Sequence, residues 1–321
     1  MNPTSTTPAH PGLPGHVEIT ETLLRDGLQI EDRIVPTEKK IDIARALLAA
    51  GFASLEIGAF VHPERVPQMA DTDQLLRTLL DETDAPLYTL IFNERSAIRA
   101  IDAGARHARL VVSATDGHSR SNSGRSVDEA LERLAVAAER LTNASVHLEA
   151  GVATSFICPF DGLTPPENVL RVVGRLREFG VQRVTLADTI GNAVPQQIRE
   201  TVTAVRQAFP DQEIGLHLHD TYNVGMANAW EGLNLGIAHY DAALGGLGGC
   251  PFAPGASGNI GTDDLLHLLH RTGIPTGVDP APLPALREEI AEAVGHPLAS
   301  SLAGIPAMPS PLLPSASGTV S

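Results

Sequence analysis

Hydrophobic and polar positions along the chain follow two alternating rhythms. Short runs that are apolar, or that alternate with period two, predict strands at Val17–Thr22, Ser54–Ile57, Pro86–Ile91, Ala108–Ser113, Ser145–Ala150, Arg183–Ala187, Glu213–His219 and His239–Ala243. Longer segments between them carry apolar residues at helical spacing: 37–50, 73–80, 94–103, 126–141, 165–179, 195–209 and 226–235, with an eighth helix at 263–271. Local signals agree with this division. Gly51 stops the first helix, Ser126 and Glu129 form a capping box, and Pro165 sits at a helix start.

Strands and helices in strict alternation predict an α/β fold, the (β/α)8 TIM barrel, over 17–278, close to the roughly 250 residues typical of that architecture. A short C-terminal helical extension is expected at 279–300, with its helix over Leu283–Val294. The Pro/Thr-rich residues 1–16 read as a disordered leader and the Pro/Ser-rich residues 301–321 as a disordered tail.

Composition narrows the function. A net charge of −15 opposes a nucleic-acid partner and an anionic membrane surface. There is no apolar run of spanning length and no signal-peptide pattern, and Cys158 and Cys250 make no disulfide framework, so a cytoplasmic protein is expected.

In this fold the chemistry lies at the C-terminal strand ends. His217 and His219 are two apart in the seventh strand and share a face, an arrangement suited to a divalent metal but also to two half-buried histidines. Arg25 and Asp26 follow the first strand, Glu56 lies in the second and Asp188 ends the sixth. Arg25–Asp26 also suits a surface ion pair, and Glu56 and Asp188 also suit capping of the loops after them. A glycine-dense loop, 245–259, carries Cys250 and ends in Asn259. Cys158 reads as a small buried residue close to the same mouth.

The segments RDGLQ (25–29), FVHPERVPQMAD (60–71), ADTIG (187–191), HLHDTYNVGMAN (217–228) and GGLGGCPFAPGASGN (245–259) resemble the 3-hydroxy-3-methylglutaryl-CoA lyases. These belong to a wider group of metal-dependent barrels that includes homocitrate and isopropylmalate synthases. The resemblance implies a divalent metal, Mg2+ or Mn2+, held by Asp26, His217, His219 and Asn259. It also implies that Arg25 steadies the thioester oxygen and that Cys250 is catalytic on a mobile loop. Glu56 and Asp188 match acidic residues important to the site, and Gln29 supports the substrate end of the pocket. His217 or Cys250 is the implied proton source. The expected substrate is an acyl-CoA cleaved to acetyl-CoA and a 3-oxo acid, and the expected assembly is a homodimer.

Four positions depart from that family's pattern. Glu21-Thr-Leu-Leu24 stands in place of Glu-Val-Gly-Pro, Ala59 in place of a serine, Asp32 in place of a basic residue, and Asp263 in place of a glutamate. Competing readings are a condensing synthase or aldolase of the wider group and a barrel that binds metal without catalysis. An amidohydrolase-type barrel would carry its H-x-H on the first strand rather than the seventh.

Overall fold

The computed structural model describes residues 12–249 and 258–305. Cys250, most of the expected leader and most of the expected tail lie outside the described residues. Parallel strands β1 (Glu18–Glu21), β2 (Ser54–Ala59), β3 (Leu87–Ile91), β4 (His107–Ser113), β5 (His147–Ala153), β6 (Arg183–Asp188), β7 (Glu213–Leu218) and β8 (His239–Ala242) close into a barrel. Each strand pairs with its neighbours in sequence, and β1 pairs with β8.

The connecting helices are α1 (Thr37–Ala49), α2 (Thr72–Leu80), α3 (Glu94–Asp102), α4 (Asp116–Ser123), α5 (Val127–Asn143), α6 (Pro166–Glu178), α7 (Pro195–Ala208), α8 (Gly225–Asn234) and α9 (Thr262–Arg271), with α10 (Leu283–Val294) beyond the barrel. Their apolar stripes face the strands: Leu47, Leu79, Leu134, Val173, Val202, Leu233 and Leu269 are all fully buried. The predicted capping box is present, with Ser126 and Glu129 exchanging side-chain to backbone bonds. Among the described residues no helix is long and apolar enough to cross a membrane.

Three elements differ from the pattern-based expectation. After β1 the chain makes a π-helical turn, Leu23–Gly27, in which the amides of Asp26 and Gly27 both donate to the Thr22 carbonyl, at 2.8 and 3.2 Å. Helix α4 is spelled DGHSRSNS and has no apolar stripe to announce it. A small antiparallel hairpin, Ile157–Cys158 with Gly162–Leu163, follows β5.

The chain also stays folded past residue 300, with Ser301–Gly304 forming a 3-10 turn where a tail was expected to begin. That turn is held because Asp264 accepts the amides of Ser301 and Leu302, at 2.8 and 3.0 Å. Beside it, the Ala299 and Ser300 amides donate to the Gly245 carbonyl at 2.9 and 2.8 Å, and Asp263 accepts the Gly245 amide at 3.2 Å and the Ser300 hydroxyl at 2.7 Å. The C-terminal segment thus clasps the start of the glycine-dense loop.

Glu21 ties β1 to the same region. Its carboxylate accepts the Leu23 and Leu244 amides at 2.9 and 3.0 Å and the Thr262 hydroxyl at 2.6 Å. Burial outweighs these donors and pushes its pKa up from 4.5 to about 7. A carboxyl whose pKa rises on folding contributes stability below its unfolded pKa and loses it as pH climbs through the folded one. Wild type should therefore lose stability relative to Glu21→Gln between pH 4.5 and about 7, by on the order of a few kcal/mol. Parallel pH-dependent slopes in chemical denaturation of the two proteins would contradict this.

Candidate active site

Residues 25 and 26 are adjacent, and in a strand they would point to opposite faces. The π turn instead brings both to one cavity of about 310 Å³ at the C-terminal mouth, shared with Gln29, His217 and His219. Asp26 faces both imidazoles, its Oδ2 3.7 Å from His217 Nε2 and 3.4 Å from His219 Nε2. The two Nε2 atoms are 3.2 Å apart. Asn259 reaches the group from the far end of the glycine-dense loop and donates to Asp26 Oδ2 at 2.8 Å. It is positioned by a bridge to His219 and by its bond to the Leu247 carbonyl.

These residues fit a divalent cation. Asp26, His217 and His219 offer ligand atoms within 4.8 Å of one another. The Asn259 Oδ1 is buried without a hydrogen-bond partner among the described residues, as is His219 Nδ1. An orphaned amide oxygen beside a carboxylate and two imidazoles completes a mixed oxygen and nitrogen donor set. Burial alone would raise the Asp26 pKa, but Arg25 and the two histidines hold the carboxyl well below its usual range. Burial lowers the pKa of His219, favouring the neutral ring that a metal requires.

Beneath the cluster the barrel is charged. Arg109, on β4 and only 3% exposed, bonds Glu56 at 2.9 Å, Asp241 at 2.7 Å and Glu149 at 3.1 Å. Each carboxylate is shared onward. Glu56 pairs with Arg25, whose other partner is Asp26. Asp241 bonds His217 Nδ1 at 3.1 Å. Glu149 accepts the Tyr88 hydroxyl at 2.6 Å and bonds Arg183 at 2.5 Å. The Asp241 contact fixes the ring of His217 so that Nε2 faces Asp26 and His219, the outer-shell arrangement common in metal sites. Burial opposes protonation of His217, but Asp241 and Asp26 outweigh it and raise the pKa.

The sequence candidates are thus placed unequally. Arg25, Asp26, Gln29, His217 and His219 line the cavity, and Asn259 stands behind Asp26. Glu56 is fully buried between two arginines, below the cavity wall. Asp188 caps its own loop, accepting the Asn192 and Ala193 amides at 3.2 and 3.0 Å, and burial raises its pKa to about 6. Cys158 is buried and Cys250 lies outside the described residues. Of the departures, Asp32 is exposed and Ala59 is buried against Thr72. Sequence reasoning missed Arg109, Asp241 and the α4 residues His118, Ser121 and Asn122, all on the cavity wall. Asp241 was findable, being in the eighth strand near its C-terminal end. The α4 residues carried no signal beyond following the fourth strand.

A family model described as HMGL-like matches residues 16–290. The chain belongs to that family. It is 39% identical over 292 residues to the (R)-citramalyl-CoA lyase of Chloroflexus aurantiacus, covering 88% of this chain and 92% of the relative. It is 36% identical to the hydroxymethylglutaryl-CoA lyase YngG of Bacillus subtilis, covering 89% and 96%. A solved HMG-CoA lyase from Acinetobacter baumannii, in complex with coenzyme A and 3-methylmalate, superposes with a TM-score of 0.86 at 36% identity, covering 92% of this chain and 98% of that one. The chain is an enzyme of the lyase kind, like these relatives.

Two outcomes follow from the geometry. Asp26→Asn should lower affinity for Mn2+ by more than the roughly 10–100-fold typical of losing an outer-shell partner, with circular dichroism unchanged; calorimetric titration checks it, and wild-type affinity would remove Asp26 from the site. Arg109→Met leaves Glu56, Glu149 and Asp241 short of a buried partner and should cost about 3–5 kcal/mol in urea denaturation. Loss within the error of the measurement would show that the carboxylates are satisfied without it.

Proposed function

We propose that the protein cleaves the C2–C3 bond of a 3-hydroxy-3-methyl dicarboxylyl-CoA, releasing acetyl-CoA and an oxo acid. The observation that carries this reading is the convergence of Asp26, His217, His219 and Asn259 with Arg25 at one cavity mouth. A divalent cation held by those four residues would supply Lewis acidity that eases loss of the C3 hydroxyl proton to solvent at the cavity mouth. Arg25 balances the negative charge that develops on the thioester oxygen as the bond breaks and the electron pair moves to C2. Asp26 and Glu56 hold the guanidinium from both sides, so it needs no reorientation during the reaction.

C2 must then take up a proton. His217 commits Nδ1 to Asp241 and directs Nε2 at the ligand cluster, so it serves as a ligand rather than a proton donor. The donor in this proposal is Cys250, on the glycine-dense loop, the cysteine that the family resemblance marks as catalytic. Its loop is bounded by the Gly245 clasp and by Asn259, whose side chain bonds Asp26 in the ligand group.

The first substrate in this proposal is 3-hydroxy-3-methylglutaryl-CoA, which gives acetyl-CoA and acetoacetate. The (R)-citramalyl-CoA relative supports a second, one methylene shorter, which gives acetyl-CoA and pyruvate. The metal-loaded protein is to be incubated with each thioester and acetyl-CoA followed. Release from either supports the reading; no release, together with condensation of an acyl-CoA with a 2-oxo acid, would turn it to the synthase. Cys250→Ala should lower kcat by roughly two to four powers of ten, with metal content unchanged, and wild-type turnover by this variant would dismiss the cysteine.

A further inference from the structure

Glycine within a strand costs stability, because it gains nothing by packing and loses more chain entropy than alanine. Most buried strand glycines repay this by allowing a close approach. Gly215 on β7 is such a case, since a Cβ there would lie 3.0 Å from Thr185 Oγ1. Gly151, in the middle of β5, is not. A Cβ at Gly151 meets no atom of the described residues within 4 Å, and its backbone is not in the left-handed region that favours glycine. Neither the backbone nor the packing requires the absence of a side chain there.

The space above Gly151 belongs to the cavity. Gly151 pairs in register with Val111 on β4 and Thr185 on β6, one inward step above the Arg109–Glu149 pair. The surrounding wall is formed by Leu90, Phe92, Val111, Ala153 and Ala187, from β3 to β6. Thr185, Thr189 and the α4 residues His118, Ser121 and Asn122 also border the cavity, so the apolar recess is the patch of Leu90, Phe92, Val111, Ala153 and Ala187 about Gly151 and not the whole wall. The reacting groups Arg25, Asp26, His217 and His219 come from the segments that follow β1 and end β7. Arg109 also borders the cavity, but its charge is already shared among three carboxylates, so it offers little to an incoming anion.

We infer that Gly151 is a specificity-determining residue that keeps open an apolar recess for an alkyl substituent longer than methyl on the acyl group being cleaved. This rests on the lyase reading above. An apolar recess of this kind favours a hydrocarbon chain over a second carboxylate, because a buried charge without a partner is costly. The carboxylate and the thioester stay with the polar groups at the mouth, and the alkyl chain takes the recess.

The test compares 3-hydroxy-3-methylglutaryl-CoA with the analogue in which butyl replaces methyl, using the metal-loaded full chain and the variants Gly151→Ala and Gly151→Val. Wild type should cleave the butyl thioester with kcat/KM within about tenfold of the methyl one, since the recess is open to the three added methylenes. Gly151→Val should lower the butyl-to-methyl ratio by roughly 10–200-fold while metal content and cleavage of the methyl thioester persist. Gly151→Ala should melt no lower than wild type, which separates this effect from a folding defect. Cleavage of the methyl thioester alone by wild type, or an unchanged ratio in Gly151→Val, would overturn the inference. If no thioester is cleaved, the lyase reading itself fails, and calorimetric binding still decides the recess: equal affinity of wild type and Gly151→Val for the butyl thioester would overturn it.

Discussion

Placing a guanidinium at the centre of a closed barrel imposes the constraint on which this site depends. A charge removed from water is tolerated only when paired and hydrogen-bonded. Arg109 meets that condition by drawing Glu56, Glu149 and Asp241 from three other strands. The pairing then propagates upward. Glu56 is the anchor of Arg25, and Asp241 is the anchor of His217. The cation expected to meet the substrate and an imidazole expected to bind the metal are therefore held from below by one side chain. Such a network is rigid because moving any member strands another without a partner.

The upper layer solves a different problem. A strand cannot aim two consecutive residues into one cavity, yet Arg25 and Asp26 both have to face it. The π turn after β1 does this by gathering the Asp26 and Gly27 amides on the Thr22 carbonyl. Turns of this kind recur at functional positions in proteins. Adjacency also sets the electrostatics, since the Arg25 charge beside Asp26 keeps that carboxylate ionised under the histidines.

How much of this was legible in the sequence follows from what periodicity can carry. The eight strands and the helices between them were readable, because burial on a fixed face forces period two or a helical repeat. His217 and His219 were readable as a same-face pair by the same rule. The π turn was not, because five residues between two recognised elements hold no repeat. Helix α4 was not, because its polar sequence buries little and is held at its ends, with Asp161 accepting the Gly117 amide at 2.7 Å and Gly124 in the left-handed conformation after it. Arg109 was hidden for the opposite reason. A charged residue in a strand is ordinarily read as outward-facing, and only the closed barrel shows that it points inward to three carboxylates. The alternative readings offered for Glu56 and Asp188 divided: Asp188 does cap its loop, whereas Glu56 joins the ion network.

On the proposed reading, chemistry and shape are set by different residues of the cavity wall. The ionic network and the ligand cluster depend on residues that cannot be exchanged without leaving a charge unpaired. Above Arg109 and Glu149, the strands β3 to β6 also present Leu90, Val111, Gly151, Ala153 and Ala187, which pair with no charge and can vary in size at small cost to the fold. Relatives named for acyl groups differing by one methylene match this chain at similar identity, 39% and 36%, as that separation would allow. A methylene in an apolar pocket is worth only about 1–3 kcal/mol, a difference that two or three wall residues can supply. On the proposed reading, the acyl group is encoded in small side chains such as Gly151, Ala153 and Ala187, and the bond cleaved in Arg25 and the ligand cluster that follow β1 and end β7.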